Sequence, residues 1–322
     1  MAFAQQVCAQ SPFPAPIVAA VPASGPTAAL LAQDARLALV AERLLVANAG
    51  LCARTMPVAG MVVQSRDQYG AEAPAALFAD GPVAVALVLP GSAAERAGLR
   101  PGDALVAIGA QRVADLRADG AAPVRDAAFA ALVAQWPGHG PLPLTVARDG
   151  AQRPVVLDPQ AGCRALVEVR TRDALTARSD GRVIQLDLGL VQAATDEELA
   201  VIVAHELGHV VLDHRRRLEA AGVTKGFFGQ FGHDQQRNRH MEIEADRMSV
   251  HLLANAGYDP ALAVRFWRGA LARRAAGGLT LSTIHPSPGS RADLLEREIA
   301  DYLAPPSGPS YPGHLVGWRG TD

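Results

Sequence analysis

The spacing of apolar residues predicts helices towards both ends of the chain and a strand-rich stretch between them. Apolar positions recur every three or four residues over residues 27–49, which is the repeat of one helix face. Residues 83–89 are continuously apolar, as in a buried strand. The same criteria predict helices over residues 124–136, 196–215, 233–255, 261–274 and 291–303. They predict strands over residues 104–108, 142–148, 153–157, 166–170 and 182–188.

This order of elements predicts an α+β fold with two domains, for which 322 residues are sufficient. The predicted segments are a flexible N-terminus (1–26), a helical segment (27–54), a β-rich domain (55–160), a mainly helical domain with a small sheet (161–304) and a flexible tail (305–322). Residues 182–188 alternate between polar and apolar side chains. We expect them to form an edge strand beside the helix that begins near residue 196.

Composition and charge narrow the classes of partner. The chain is 49% hydrophobic and 19% charged, which is typical of a globular protein. Its net charge of −2 does not predict a nucleic-acid partner. The apolar run at residues 83–89 is too short to cross a bilayer, so we expect a soluble protein without a transmembrane segment. The oligomeric state is left open.

The cysteines bear on the compartment. Cys52 and Cys163 flank the middle third of the chain, and we expect either a disulfide that ties the two ends of one domain or two buried free thiols. A disulfide would require an oxidising compartment. Cys8 lies in the N-terminal leader, which lacks the charged and apolar regions of an intact signal peptide. A periplasmic or otherwise extracytoplasmic location is the expectation.

The sequence His-Glu-Leu-Gly-His supplies the candidate chemistry. His205 and His209 are four residues apart, so on a helix they lie on one face and can direct two imidazoles at one ion. Glu206 lies between them and can reach a water bound to that ion. Thr195 and Glu198 form a predicted capping box that starts this helix. The pattern is typical of a zinc protease, with one Zn²⁺ per chain.

A second predicted helix supplies carboxylates for the same ion. A catalytic zinc site takes three protein ligands and one water. Glu242 is the expected third ligand, and Asp246 lies on the same face, where it can hydrogen-bond the far nitrogen of a ligating histidine. Glu244 points nearly opposite and is expected to be solvated or to pair with another helix. Glu244 as the ligand instead of Glu242 is the alternative.

Two further features between these helices have open interpretations. His214 follows His209 by five residues, so it does not share the ligand face, and we expect a histidine at a helix end rather than a ligand. The glycine-rich stretch Gly226–Gly229 is either a loop that covers the active site or a connection only.

The stretch Pro-Gly-Ser-Ala-Ala-Glu-Arg-Ala-Gly-Leu-Arg-Pro-Gly-Asp, which starts at Pro90, resembles the signature of bacterial PDZ domains. PDZ domains bind an extended peptide, often a C-terminus, by adding a strand to a sheet edge. The resemblance implies a carboxylate-binding loop at Val58, Ala59, Gly60 and Met61, with the helix over residues 124–136 as the other wall of the groove. A PDZ fold used only for packing is the alternative.

His-Glu-Leu-Gly-His, Glu-Ile-Glu-Ala-Asp and the block His-Pro-Ser-Pro-Gly-Ser-Arg together resemble the M48 metallopeptidases, a gluzincin family of membrane quality-control proteases. The resemblance implies a zincin peptidase domain with a small edge sheet after the PDZ-like domain, with His205, His209 and Glu242 as zinc ligands and Glu206 as the catalytic base. Asp246 and Arg291 would lie behind the ligands. His285 would cap the metal at rest or stabilise the oxyanion, or it is a loop histidine bonded to backbone.

These features predict a zinc endopeptidase that hydrolyses peptide bonds of misfolded or envelope proteins, with the PDZ-like domain recruiting peptide termini. The expected partner is a peptide or unfolded protein. The alternative is a self-inhibited or chaperone-like peptide-binding protein with a zinc site. The metzincin pattern is excluded because it needs Gly and His where the chain has Leu212 and Arg215.

Overall fold

The computed structural model describes residues 17–18, 26–120, 122–220, 222, 234–278, 287–303 and 309–317. Its strands are β1 Ile17–Val18, β2 Thr55–Val58, β3 Met61–Ser65, β4 Val83–Val88, β5 Ala104–Ile108, β6 Gln111–Arg112, β7 Leu142–Arg148, β8 Ala151–Leu157, β9 Gln160–Cys163, β10 Leu166–Arg170, β11 Ala177–Ser179 and β12 Val183–Asp187. Its helices are α1 Pro26–Ala47, α2 Ala93–Arg96, α3 Val124–Gln135, α4 Leu188–Ala193, α5 Asp196–Val211, α6 His214–Ala220, α7 Asp234–Asn255, α8 Ala261–Arg268, α9 Ala270–Gly278, α10 Pro288–Tyr302 and α11 Gly313–Val316. The predicted α+β class is confirmed.

The first sheet is built around β4, every residue of which is buried. β4 pairs antiparallel with β1, β3 and β5, and the sheet continues through β7 to β8. Val83 and Val85 pack into the core of this sheet. Ala84 and Ala86, on the opposite face, pack with Leu31 of α1. Burial on both faces explains why β4 is apolar without alternation.

The second sheet has the order β10-β12-β11, which overturns one expectation. β12 pairs parallel with β10 and antiparallel with β11, so it is the central strand. The prediction that residues 182–188 form an edge strand is therefore wrong. Ile184 and Leu186 point to one face of the sheet and are buried there, so polar and apolar side chains alternate along β12 although it is a central strand. The strand that packs beside α5 at the sheet edge is β11.

α5 begins where the sequence predicts and ends earlier. The predicted capping box is present, because Glu198 N donates to Thr195 Oγ1 at 3.2 Å and Thr195 N donates to Glu198 Oε2 at 2.9 Å. The helix ends at Val211 rather than near residue 215. Asp213 has a φ of 54°, and this left-handed residue turns the chain into α6.

Cys52 and Cys163 form a disulfide, with their Cα atoms 5.4 Å apart, so the first of the two alternatives holds. The bond lies beside the antiparallel pair of β2 and β9, in which Thr55 is opposite Cys163. It closes the β-rich region at the point where the chain passes on to β10. Cys8 lies outside the described residues.

The C-terminal half of the chain differs from the predicted structure in two places. Residues 261–274 do not form one helix, because extended Gly269 separates α8 from α9. The tail was expected to be loose from residue 305, yet α11 lies within it, and Leu315 and Val316 are buried. The predicted flexible N-terminus lies mostly outside the described residues, but β1 within it pairs with β4. Across the described ranges, no helix is both long enough and apolar enough to cross a membrane.

Candidate metal centre

The closeness of α5 and α7 determines the geometry of the site. A Cβ atom on Gly208 would come within 2.9 Å of the backbone oxygen of Ala245, so only glycine permits this helix contact. Gly208 lies one residue before His209 on α5. Ala245 lies between Glu242 and Asp246 on α7. The contact therefore brings the imidazoles and the carboxylates of the two helices together.

The structure brings His205, His209 and Glu242 to one point. The two Nε2 atoms are 3.3 Å apart, His205 Nε2 is 3.3 Å from Glu242 Oε2, and His209 Nε2 is 3.5 Å from Glu242 Oε1. Ligand atoms about 2.1 Å from a tetrahedral zinc ion lie about 3.4 Å from one another. The separations and the two-nitrogen, one-carboxylate donor set fit a zinc site. The alternative ligand Glu244 is not part of this group.

His205 is held from behind by a carboxylate and a guanidinium. Its Nδ1 atom is 3.0 Å from Oδ1 of Asp246, which is fully buried. Arg291 Nε donates to Asp246 Oδ2 at 2.6 Å, and its guanidinium lies 3.4 Å from the ring centre of Trp267. Burial raises the pKa of Asp246, but the Arg291 charge and the His205 hydrogen bond lower it more, so Asp246 is an ionised acceptor. An ionised Asp246 fixes the proton of His205 on Nδ1 when Nε2 binds a metal.

The pKa of His205 shows that a metal must compete with a proton. Burial lowers this pKa, but hydrogen bonds to Asp246 and Glu242 outweigh burial and raise it to about 10. Without a metal, the imidazole therefore carries a proton on each nitrogen at neutral pH. Metal binding at this position releases the Nε2 proton.

His209 is held by a second chain of buried polar groups that the sequence analysis missed. His209 Nδ1 lies 2.9 Å from His214 Nδ1, and His214 Nε2 lies 2.9 Å from Glu244 Oε2. Arg217 NH1 donates to the same Glu244 oxygen at 2.7 Å. His214 is fully buried at the start of α6, and Glu244 is 7% exposed. His214 is therefore a helix-end histidine and not a member of the ligand group, as expected, but it lies at the start of α6 and contacts a ligand. Of the two expectations for Glu244, pairing with another helix holds and solvation does not.

This chain of contacts determines which nitrogen of His209 carries the proton. Burial raises the pKa of Glu244, but hydrogen bonds from His214 and Arg217 lower it to about 2, so Glu244 can only accept. His214 must then donate from Nε2. Burial lowers the pKa of His214, so it is neutral and its Nδ1 is an acceptor. His209 consequently donates from Nδ1, and its Nε2 lone pair faces His205 and Glu242.

Glu206 follows His205 on α5 and is only 7% exposed. A carboxylate at this position is adjacent to the ligand group yet is not a member of it. The arrangement provides three donors for an ion and one separate carboxylate for proton transfer.

The predicted carboxylate-binding loop lies at the start of the edge strand β3. Gly60 has a φ of 77°, and a Cβ atom there would lie 2.0 Å from Cβ of Ser92, so the loop requires glycine. Leu89 N donates to Gly60 O at 2.7 Å, and Ala94 N donates to Ala59 O at 2.8 Å. These bonds fix Val58, Ala59, Gly60 and Met61 against α2, with α3 across the groove from β3.

Comparison with known proteins matches both regions. Residues 85–122 match the model of the PDZ domain, and residues 173–233 match the model of peptidase family M48. The mitochondrial metalloendopeptidase OMA1 of Arabidopsis thaliana is 34% identical over 137 residues, which are 36% of this chain and 27% of that protein. The chain thus covers about a quarter of the length of this relative.

The chain thus contains a region similar to peptidase family M48 and a region similar to a PDZ domain. The residues matched to M48 include α5 and therefore both histidines of the metal centre. Glu242 and Asp246 follow the matched residues, and it is their position on α7 that joins them to this centre. M48 peptidases are metal-dependent, which agrees with the donor set.

Two features predicted for the active site lie outside the residues that the structure describes. His285 is in the stretch 279–286, and the glycine-rich stretch Gly226–Gly229 lies within 223–233. Their expected roles stay predictions. Arg291, from the same block as His285, begins the second turn of α10, and this position brings it to Asp246.

A second group of histidines and a carboxylate, His251, Glu298 and His314, follows the residues matched to M48 and is held together by hydrogen bonds. His251 Nε2 and His314 Nε2 lie 2.9 and 2.7 Å from the same oxygen of Glu298, and Arg247 Nε donates to the other oxygen at 2.6 Å. These separations are those of hydrogen bonds and are shorter than those at the first centre. The adjacent guanidinium opposes a bound cation. The group fastens α11 to α7 and α10.

Proposed function

We propose that the chain is a zinc-dependent endopeptidase that hydrolyses peptide bonds in unfolded or misfolded proteins. The observation that carries this proposal is the convergence of His205, His209 and Glu242 with separations of 3.3–3.5 Å, with Glu206 beside them on α5. A zinc ion held there would polarise the scissile carbonyl and lower the pKa of a water molecule. The M48 match and the similarity to a metalloendopeptidase support the same reaction class.

The protein groups divide the work between holding and proton transfer. Glu206 accepts a proton from the attacking water and returns it to the leaving amine. Asp246 and His214 contact the Nδ1 atoms of His205 and His209, so the Nε2 lone pairs would be available to the ion. The carboxylate of Glu242 would offset part of its positive charge.

An extended substrate fits the edge of the second sheet. β11 is bonded to β12 on one side and packs beside α5. Edge strands offer backbone donors and acceptors to an added strand, and this binding mode is largely independent of side chains. Such a mode suits a protease that acts on many unfolded chains. The PDZ-like domain would recruit peptide termini to it.

The proposed compartment is the periplasm or another site outside the cytosol, and the proposed role is protein quality control. The Cys52–Cys163 disulfide supports an oxidising compartment. Recovery of the bond from cells under thiol-trapping conditions would test this. A pair of free thiols in freshly trapped protein would contradict it.

The reaction is tested with Glu206→Gln. Zinc content is measured by elemental analysis, and cleavage is followed with fluorescein-labelled casein. We expect about one zinc per chain in both proteins, and a loss of cleavage of roughly 10²- to 10⁴-fold in the variant, because general-base catalysis contributes about this much. Glu197→Gln, on the exposed face of the same helix, is the matched control and should cleave like the parent.

The alternative of a peptide-binding protein with a zinc site makes the opposite prediction. Chelation would then leave binding of unfolded casein intact, and the zinc-loaded parent would show no cleavage that depends on Glu206. Equal cleavage by the parent and by Glu206→Gln would remove the role assigned to this carboxylate.

A further inference from the structure

A cavity of about 730 Å³ lies where a PDZ domain holds its peptide. β3 and α3 form two walls, with Val63 and Phe129 among the lining residues. The other walls come from outside the PDZ-like domain, namely α1 and β10, with Leu37 and Val167 among the residues there. The peptide groove therefore faces the rest of the chain and is lined by it.

A carboxyl group from α1 occupies the donor predicted for a ligand carboxylate. The Glu42 side chain accepts a hydrogen bond from the backbone N–H of Gly60 and lines the same cavity as Val58, Ala59 and Met61. Gly60 has a left-handed backbone conformation, which glycine adopts without strain. A peptide C-terminus that entered the groove would need the same N–H group.

A second carboxyl group of α1 bonds both edge strands along the cavity. Asp34 Oδ2 accepts from Gln64 Nε2 of β3 at 2.9 Å, and the Asp34 carboxyl also accepts from the backbone N–H of Val169 in β10. Arg125 of α3 forms an ion pair with Glu168 of β10 across the same space. These contacts bridge the groove from β3 to α1 on one side and from α3 to β10 on the other.

Asp34 and Glu42 are half-buried, and removing a carboxyl group from water is costly, so their contacts are unlike ordinary helix packing. Burial raises the pKa of Glu42 to about 8 and that of Asp34 to about 7. The rest of the α1 face that meets the cavity is apolar, with Leu30, Leu37 and Leu45. The hydrogen bonds that Asp34 and Glu42 accept in the groove offset part of the free energy lost when these carboxyl groups leave water.

α1 is also fastened to both helices that carry metal ligands. Arg36 NH2 bonds Asp196 Oδ1 at 2.8 Å at the start of α5. Arg43 Nε donates to the oxygen of Ala256 at 2.6 Å, just after the end of α7. Asn48 Nδ2, just beyond α1, donates to Leu252 O of α7 at 3.1 Å. A movement of α1 away from the groove would therefore be felt at α5 and α7.

We propose that α1 covers the PDZ groove, with the Glu42 carboxyl at the donor that a ligand's terminal carboxylate would use, and that a peptide with a free C-terminus binds by displacing this carboxyl and the helix that carries it. The inference rests on the proposed recruitment of peptide termini by this domain. It changes that recruitment from a simple docking step into a competition. The competing group belongs to the helix that supports the metal centre.

The test measures peptide binding by fluorescence anisotropy with the full-length, zinc-loaded chain carrying Glu206→Gln, so that the probe is not cut. The probe is a fluorescein-labelled decapeptide that ends in Val-Val with a free carboxylate, and its twin ends in an amide. Glu42→Ala removes the hydrogen bond to Gly60 from the state in which α1 covers the groove. We expect Glu42→Ala to bind the carboxylate probe roughly three- to tenfold more tightly, with no gain for the amide probe.

Glu72→Ala is the matched control, since Glu72 is an exposed glutamate of the PDZ-like region that does not line the cavity. It should bind the carboxylate probe like the parent. An unchanged affinity of Glu42→Ala, or an equal gain for the amide probe, would overturn the proposal. Binding is measured apart from cleavage, so an acid-specific gain would stand even if the casein assay showed no proteolysis.

Hydrogen exchange of the unsubstituted α1 provides a second measurement that does not depend on the folding of Glu42→Ala. Saturating carboxylate probe should increase amide exchange in residues 37–47, because the helix leaves the groove when the peptide enters. Unchanged or slower exchange in this segment, with the probe bound, would refute displacement. The amide probe at the same concentration should leave the exchange of this segment unchanged.

Discussion

Replacement of His214 tests whether a residue that touches no substrate controls the metal centre. His214 is fully buried and joins His209 to Glu244 through two contacts of 2.9 Å. His214→Leu removes the acceptor for His209 Nδ1–H and leaves that donor buried without a partner, which costs about 1–3 kcal/mol. His209 can then place its proton on Nε2 instead, and in that tautomer it does not bind metal.

The expected loss of zinc affinity follows from the lost tautomer preference. Replacing a group that orients a metal-binding histidine typically weakens metal binding about 10- to 100-fold, which corresponds to about 1.4–2.7 kcal/mol. His214→Asn should recover part of this loss, because its side-chain oxygen occupies nearly the position of the imidazole Nδ1 and can accept from His209. It does not restore the bond to Glu244, so recovery should be incomplete.

The assay is a competition between metal-free protein and a chromophoric zinc chelator, together with the visible spectrum of the cobalt-loaded protein. His251→Leu is the matched control, since His251 is also buried and also hydrogen-bonds a buried glutamate, but it belongs to the group that fastens α11. It should lower the melting temperature without changing zinc affinity. Two results would refute the tautomer argument. One is an equal loss of zinc affinity in His214→Leu and His251→Leu, and the other is an equal zinc affinity of His214→Leu and His214→Asn.

Three further predictions concern the pH dependence of stability, the disulfide and the contact between α5 and α7. The pKa of Glu42 is raised to about 8, so between about pH 4.5 and pH 8 the folded state holds a proton that the unfolded chain has lost, and the free energy of unfolding should fall by up to about 1.4 kcal/mol per pH unit as the pH rises. Glu42→Gln should flatten this slope in melting curves recorded between pH 5 and 8. Parallel pH dependences of the parent and the variant would contradict the raised pKa. Cys52→Ser should lower the free energy of unfolding by about 2–5 kcal/mol in urea titrations, because the bond spans 111 residues, and reductant should bring the parent to the same midpoint without affecting the variant. Gly208→Ala should separate α5 from α7 and lower zinc affinity at least tenfold in the chelator assay, while Gly289→Ala, where a Cβ atom meets nothing, should not.

The sequence allowed the grouping of His205, His209 and Glu242 to be predicted, because the spacing that selects them is local to single helices. The four-residue spacing of His205 and His209 defines one face of α5, and the same spacing selects Glu242 and Asp246 on α7. The capping box and the apolar run of β4 are equally local signals. Each of these predictions needed only the repeat of one element.

The contacts of His214 and Glu244 could not be predicted, because they depend on a turn. In a continuous helix, His214 would point away from His209, but Asp213 adopts a left-handed conformation and the chain doubles back into α6. Only then does His214 meet both His209 and Glu244. The central position of β12 has a similar cause, because its partner β11 is a strand of three residues, Ala177–Ser179, with no apolar repeat of its own.

The role of α1 illustrates why a helix predicted from its apolar stripe can still be misjudged. The stripe explains burial against α5 and the first sheet, since Leu37 and Leu44 lie in the core shared with α5. It does not explain Asp34 and Glu42, which periodicity assigns to the polar face. Their partners, Gln64 and the Gly60 and Val169 amides, are contributed by the groove and by β10. A polar residue next to an apolar stripe is solvated only if nothing packs there, and on α1 two separate sheets do. The same helix that packs in the core with α5 therefore also supplies the carboxyl groups that line the groove of the PDZ-like domain.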